Sequence, residues 1–179
     1  MKKIFVIFGL LLMFAPSWAQ EKGESRLAIG LGMGTKAAIC ETSADKVFGT
    51  GLSVIGDYFI RDKLALGSSY TFFLKSTIGD LANGQISYEA NTLNIVGKYY
   101  FIIKKVNLYA LGGVAFASEK SVLSSALTED KEFKDNFFGV VLGAGAEFNL
   151  GDKLFIFTQS SYNMPLEQLI MQAGLGFKF

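Results

Sequence analysis

Asp57, Lys98, Glu147 and Lys178 stand at matching places in four segments of alternating polarity, and their signs alternate. Arg26 holds a similar place in the first such segment. Each lies on the less apolar face of its segment, a few residues from one end. Acids and bases placed this way can pair across a narrow interior, which avoids the heavy penalty of an isolated buried charge. The alternative is that each side chain stretches to water at the nearer interface. Catalysis is a poor use for them. The 179 residues include no histidine, the side chain whose ordinary pKa suits proton transfer near neutrality, and no nucleophile motif accompanies the serines.

Other chemistry-bearing residues carry less. Cys40 is the single cysteine, so it has no internal disulfide partner; it reads as an inert loop residue or as a reactive, intermolecular thiol. Glu129, Asp130, Glu132 and Asp135 are interleaved with Lys131 and Lys134, the composition of a solvated surface rather than of a calcium site. Gly30, Gly32 and Gly34 fall on every second residue of a strand pattern with no helix after it, so they do not form a phosphate-cradling loop. A net charge of +1 lacks the concentrated basic face that nucleic acid requires. No metal or cofactor site is expected.

The elements that must position the charged set are strands. Half the residues are hydrophobic, yet nothing in the body of the chain reaches the roughly 18 consecutive apolar residues of a membrane helix. Eight alternating segments are predicted, at about 26–34, 48–59, 64–74, 91–103, 106–117, 137–149, 154–162 and, after a connection Asn163–Gln168, from there to the end. Leu27, Ile29, Leu31 and Met33 share one face of the first; Phe138, Val140, Leu142 and Phe148 share one face of the sixth. The fifth places Leu108, Ala110, Val114 and Phe116 outward, and the facing of the seventh is open. Across the assignable strands the apolar face holds no charge, whereas a lysine or arginine there would cost about 2–4 kcal/mol at a bilayer midplane. The opposite face is mostly Gly, Ala, Ser and Thr. Lys36–Lys46, Lys75–Glu89 and Ser118–Asn136 read as long polar connections, alternating with short turns. Long loops on one side, short turns on the other and an even strand number describe a membrane barrel. The predicted fold is an all-β, eight-stranded antiparallel up-and-down transmembrane β-barrel.

Two apolar-to-polar boundaries frame this domain. Lys2 and Lys3, the apolar run Ile4–Phe14, Pro16 and then Ser17-Trp18-Ala19 make residues 1–19 a secretory signal peptide, with residues 20–179 the mature barrel. Aromatics gather at strand ends as two girdles: Tyr58, Tyr99, Phe101, Phe148, Phe177 and Phe179 at the periplasmic side, Phe72, Phe116 and Phe138 at the other.

The chain ends on Gln172-Ala-Gly-Leu-Gly-Phe-Lys-Phe179. Gln172, Gly174, Phe177 and Phe179 fill the polar, glycine and two aromatic positions of a pattern that resembles the C-terminal signal read by the barrel assembly machinery. With its strand pattern, the mature chain resembles the small eight-stranded outer-membrane barrels of the OmpA transmembrane-domain, OmpX and PorT-like kind. The resemblance implies an integral protein of the outer membrane of a Gram-negative bacterium. Its partners would be outer-membrane lipid and lipopolysaccharide, the assembly machinery, and a surface or envelope protein met by the outer loops. Barrel enzymes of that membrane resemble one another in using a histidine near the outer rim, which is lacking here. The expected role is structural or surface interaction carried by the loops, with the lumen plugged by side chains. A small channel, or an accessory barrel of a secretion or assembly complex, is the alternative.

Overall fold

A computed structural model describes residues 23–34, 49–80, 84–102, 105–125 and 128–179. The signal-peptide segment and Cys40, with the connection that carries it, lie outside the described residues. Among the described residues the chain forms nine strands: β1 (Ser25–Gly34), β2 (Gly49–Arg61), β3 (Leu64–Phe73), β4 (Ser76–Asp80), β5 (Gly84–Ile102), β6 (Val106–Ser125), β7 (Thr128–Asn149), β8 (Leu154–Asn163) and β9 (Gln168–Lys178). Every pairing is antiparallel, and β1 pairs with both β2 and β9, while β3 pairs with β5. The sheet is therefore closed. β4 continues the line of β3 along β5, so the wall has eight positions.

The stagger of the wall follows from the register. Starting at Phe138, cross-strand partners run through Phe116, Leu93, Tyr70, Val54, Ile29, Leu175 and Ile156, and return to β7 at Phe148, ten residues away. With about 3.4 Å of rise per residue and about 4.8 Å between strands, that shear tilts the strands by about 41°. The ten steps from Val106 to Phe116 then climb about 26 Å along the barrel axis, matching the apolar band of a membrane barrel, which is about 25 Å tall.

Alternation sets the two faces. Leu, Ile, Val, Met, Phe and Tyr side chains of every wall strand are exposed on the outside, including all nine residues of the expected aromatic girdles. The fifth predicted strand, now β6, faces as expected, with Tyr109, Leu111 and Ala115 buried. The open case, β8, turns Leu154, Ile156 and Tyr162 outward and Phe155, Phe157, Gln159 and Asn163 inward.

Two of the predicted polar connections are strands instead. β5, β6 and β7 run 19, 20 and 22 residues, and their upper parts, with β4, make a four-stranded sheet standing above the Phe116–Phe138 pair. Above that pair the outward face changes to Ser118, Lys120, Glu132, Lys134 and Asn136. Water then lies on both sides, so apolar alternation stops. The backbone donors and acceptors still need partners, and the ladder continues. The connection containing Pro165 forms a 3-10 turn, Met164–Leu166, whose backbone is capped by the Asn163 carboxamide oxygen and which ends at Glu167 with φ 46°.

Candidate functional site

The lumen holds the charged set. At the short-turn end the Arg26 guanidinium of β1 lies over the Phe59 ring, 4.3 Å from its centroid, with the Tyr100 and Phe155 rings each 5.6 Å away. Such faces attract a cation that has left water. Arg26 Nη1 donates to Glu147 Oε2, and its Nε donates to Glu24 Oε1 at 2.5 Å. The Tyr100 hydroxyl donates to Glu147 Oε1 at 2.8 Å, and Asn107 Nδ2 reaches Glu147 Oε2 at 3.4 Å. A second ion pair joins Lys98 Nζ on β5 to Asp57 Oδ2 on β2 at 2.7 Å, and Lys98 also sits 5.0 Å from the Tyr109 ring centroid. All four paired side chains are buried. Four of the five residues picked out from the sequence are thus brought together as two pairs. Lys178 is not: it lies beside Arg26 in the register, half-buried at the rim, and forms no ion pair with a described residue.

Above the ion pairs runs an amide and hydroxyl relay. The Tyr109 hydroxyl donates to Gln159 Oε1 at 3.0 Å, and Gln159 Nε2 donates to Gln172 Oε1 at 3.0 Å. Gln172 Nε2 reaches Ser53 Oγ at 2.7 Å and Thr71 Oγ1 at 2.9 Å, and those two hydroxyls are 2.9 Å apart. Higher still, Asn163 Nδ2 donates to Asn94 Oδ1 at 3.4 Å, and Asn94 Nδ2 to Ser69 Oγ at 3.2 Å. Phe73, Tyr88, Ala90 and Ile170 then pack as an apolar cluster at the upper mouth. Polar groups buried this way must find one another, because no bulk water serves them.

From the sequence the inward face reads as mostly small residues, with Tyr100 beside Lys98 and Tyr109 opposite the outward set of the fifth segment; Phe59, Phe155 and Phe157 are not placed there. Phe59, Tyr100, Tyr109, Phe155 and Phe157 are all buried. For Phe59, Phe155 and Phe157 the signal was present in the two-residue period: Phe59 follows Asp57, and Phe155 and Phe157 precede Gln159, on the inward face.

The four residues of the terminal pattern divide between the faces of β9. Gln172 is buried at the centre of the relay. Gly174 is also inward, and a side chain there would run into the backbone of Ile29 and Gly30 on β1. Phe177 and Phe179 point outward and are about half exposed, at 54% and 52%.

A sequence family described as the outer membrane protein beta-barrel domain matches residues 5–179. No curated protein sequence matches the chain. Among solved structures, the fold is similar to that of Ail, the attachment invasion locus protein of Yersinia pestis, at 20% identity and a TM-score of 0.63, covering 88% of this chain and 99% of that one. It is similar to the N-terminal beta-barrel domain of Pseudomonas aeruginosa OprF at 17% identity and a TM-score of 0.60, covering 88% and 98%. It is similar also to OprG of Pseudomonas aeruginosa at 11% identity and a TM-score of 0.60, covering 88% and 96%. At these identities the likeness is one of fold.

Proposed function

The chain belongs to the outer membrane β-barrel family, and from that premise we propose that it is a closed, non-enzymatic barrel whose working surface is the sheet above the outer rim. The observation that carries this reading is the lumen, crossed at successive heights by the Lys98–Asp57 and Arg26–Glu147 pairs, the Gln159–Gln172 relay and the Asn163–Asn94 contact. An eight-stranded bore is only wide enough for side chains to fill it. Solute passage would require several of these buried contacts to break together. A sheet three strands wide with a fourth at its edge is, in contrast, a firm platform for contact with a surface or an envelope protein. Phe133 supports that use, being 55% exposed on the part of β7 that stands clear of the membrane belt. Outer-membrane lipid and lipopolysaccharide surround the apolar belt, and the barrel assembly machinery inserts the chain. Residues 1–19 serve as its export signal, and mass spectrometry of the mature protein then finds Gln20 first.

Single-channel recording in planar bilayers tests the reading. The purified barrel gives no discrete conductance steps. A steady ohmic conductance that scales with inserted protein would overturn the closed-lumen reading and favour a small channel.

A further inference from the structure

The sheet above the rim contains a buried carboxylate with no cation facing it among the described residues. Glu119 of β6 is turned inward and accepts a hydrogen bond from the Tyr88 hydroxyl of β5, the one donor to it among those residues. Its register partner on β7 is another acid, Asp135, and its partner on β5 is Ala90. Phe133 and Phe137 flank Asp135 on the same face of β7. From across the mouth come Phe73 and Ile170, packed with Tyr88 and Ala90. The turn Met164–Leu166, which packs on β6 and β7, brings no charge of its own, and Glu167 after it is exposed. Two bases whose side chains are described are on the other face: Lys120 is engaged by Glu132 at 3.0 Å, and Lys134 is exposed beside it. Glu89 shares that outward face.

We propose that Glu119 and Tyr88 form a pH-sensitive latch: their contact, between neighbouring strands of the protruding sheet, seats the Tyr88 ring against Phe73 and Ile170 at the mouth, and it loosens when Glu119 loses its proton to water. With the proton in place, the pair is a neutral hydrogen bond inside an apolar setting. Without it, a carboxylate is left buried opposite Asp135. Burial, opposed by the Tyr88 hydrogen bond and reinforced by Asp135, holds the Glu119 carboxyl above its ordinary range. A carboxyl raised in the folded state binds its proton more tightly there than in an unfolded chain. Its contribution is fully present below the ordinary carboxylate range and is lost as pH rises through the raised value. The latch is therefore closed in acid. It is independent of whether the sheet binds a partner.

Hydrogen–deuterium exchange of the whole barrel in nanodiscs, from about pH 4 to about pH 9 and corrected for intrinsic exchange, reads the latch directly; one proton allows a change in protection of at most about tenfold per pH unit. Protection of β5 residues 84–92 and β6 residues 116–125 falls as pH rises, while β8 and β9 stay level. Glu119→Gln abolishes the dependence and keeps the fold. Tyr88→Phe removes the hydrogen bond that favours the carboxylate and moves the transition to higher pH; Asp135→Asn moves it to lower pH. A level profile in the unaltered protein, or the same slope in Glu119→Gln, overturns the proposal.

Discussion

Tyr100 and Tyr109 face each other across the β5–β6 ladder with ring centroids 5.1 Å apart, and their hydroxyls serve different layers of the lumen. Tyr100 donates downward to Glu147 of the ion pair, and Tyr109 donates to Gln159 of the relay. Two phenols in tilted contact thus join the charged floor to the neutral middle. Removing the hydroxyl of Tyr109 leaves the Gln159 carbonyl oxygen without its donor, a loss of about 1–3 kcal/mol for a buried polar group. Tyr109→Phe therefore lowers the urea midpoint of the detergent-solubilised barrel, read by far-ultraviolet circular dichroism. A midpoint equal to that of the unaltered protein would show that the ring contact alone matters.

The Arg26–Glu147 pair is expected to depend on both partners. Glu147→Ala leaves a guanidinium buried among Phe59, Tyr100 and Phe155 with Glu24 as its remaining acid. Breaking one side of such a pair costs about 3–5 kcal/mol, whereas replacing both sides with apolar residues of similar volume is often neutral. The double variant Arg26→Met with Glu147→Leu should recover part of the loss, because the Tyr100 hydroxyl and the Asn107 amide still lack Glu147. Equilibrium unfolding of the four corners of this cycle gives the coupling. Additive single losses would mean that each charge is separately solvated at the rim.

The fold was legible because the membrane imposes one rule on every strand. Wherever lipid lies outside, Leu27, Ile29 and Leu31, or Phe138, Val140 and Leu142, must alternate with inward residues, and the alternation prints eight wall strands on the sequence. The same rule places Arg26, Asp57, Lys98 and Glu147 inside. It cannot say which acid meets which base, since that depends on the shear of ten residues and on the reach of each side chain. Nor does it extend past Phe116 and Phe138. Beyond them Ser118, Lys120, Asn136 and Lys134 have no lipid to avoid, so strands built on backbone pairing alone read as loops. Phe155 and Phe157 were hidden for another reason. Phe155 is as apolar as its lipid-facing neighbours Leu154 and Ile156, and only the glycines facing it on the next strand reveal the space it fills.

One of those glycines makes the third prediction. Gly176 lies opposite Phe155 in the β8–β9 register, and a side chain on it would enter the Phe155 ring. Gly176→Val therefore overpacks the floor of the lumen and costs about 1–3 kcal/mol. Shortening the ring should make room: Phe155→Leu in the Gly176→Val background restores part of the stability lost. Thermal unfolding of the two single variants and the double variant checks this. If Phe155→Leu adds its own loss in full on top of Gly176→Val, the ring and the glycine are not neighbours in the folded barrel.

On the terminal strand the proposed assembly signal and the lumen relay can be told apart, because Gln172 and the two aromatics fall on opposite faces. Gln172 holds Gln159, Ser53 and Thr71 together inside the lumen, while Phe177 and Phe179 present their rings to lipid. Gln172→Leu removes the relay's central amide and leaves three buried groups short of a partner, which lowers the stability of the finished barrel. It leaves both aromatics of the proposed assembly signal in place. Phe179→Ala does the reverse: it takes one ring from the exposed rim, with little effect on the interior. Insertion into proteoliposomes carrying the assembly machinery, followed by heat-modifiable migration, measures the first property separately from urea unfolding of the inserted fraction. Gln172→Leu should insert at the normal rate and unfold early, and Phe179→Ala should insert slowly and unfold normally. If both substitutions slow insertion equally and leave unfolding unchanged, Gln172 belongs to the recognition signal and its place in the relay adds nothing to stability.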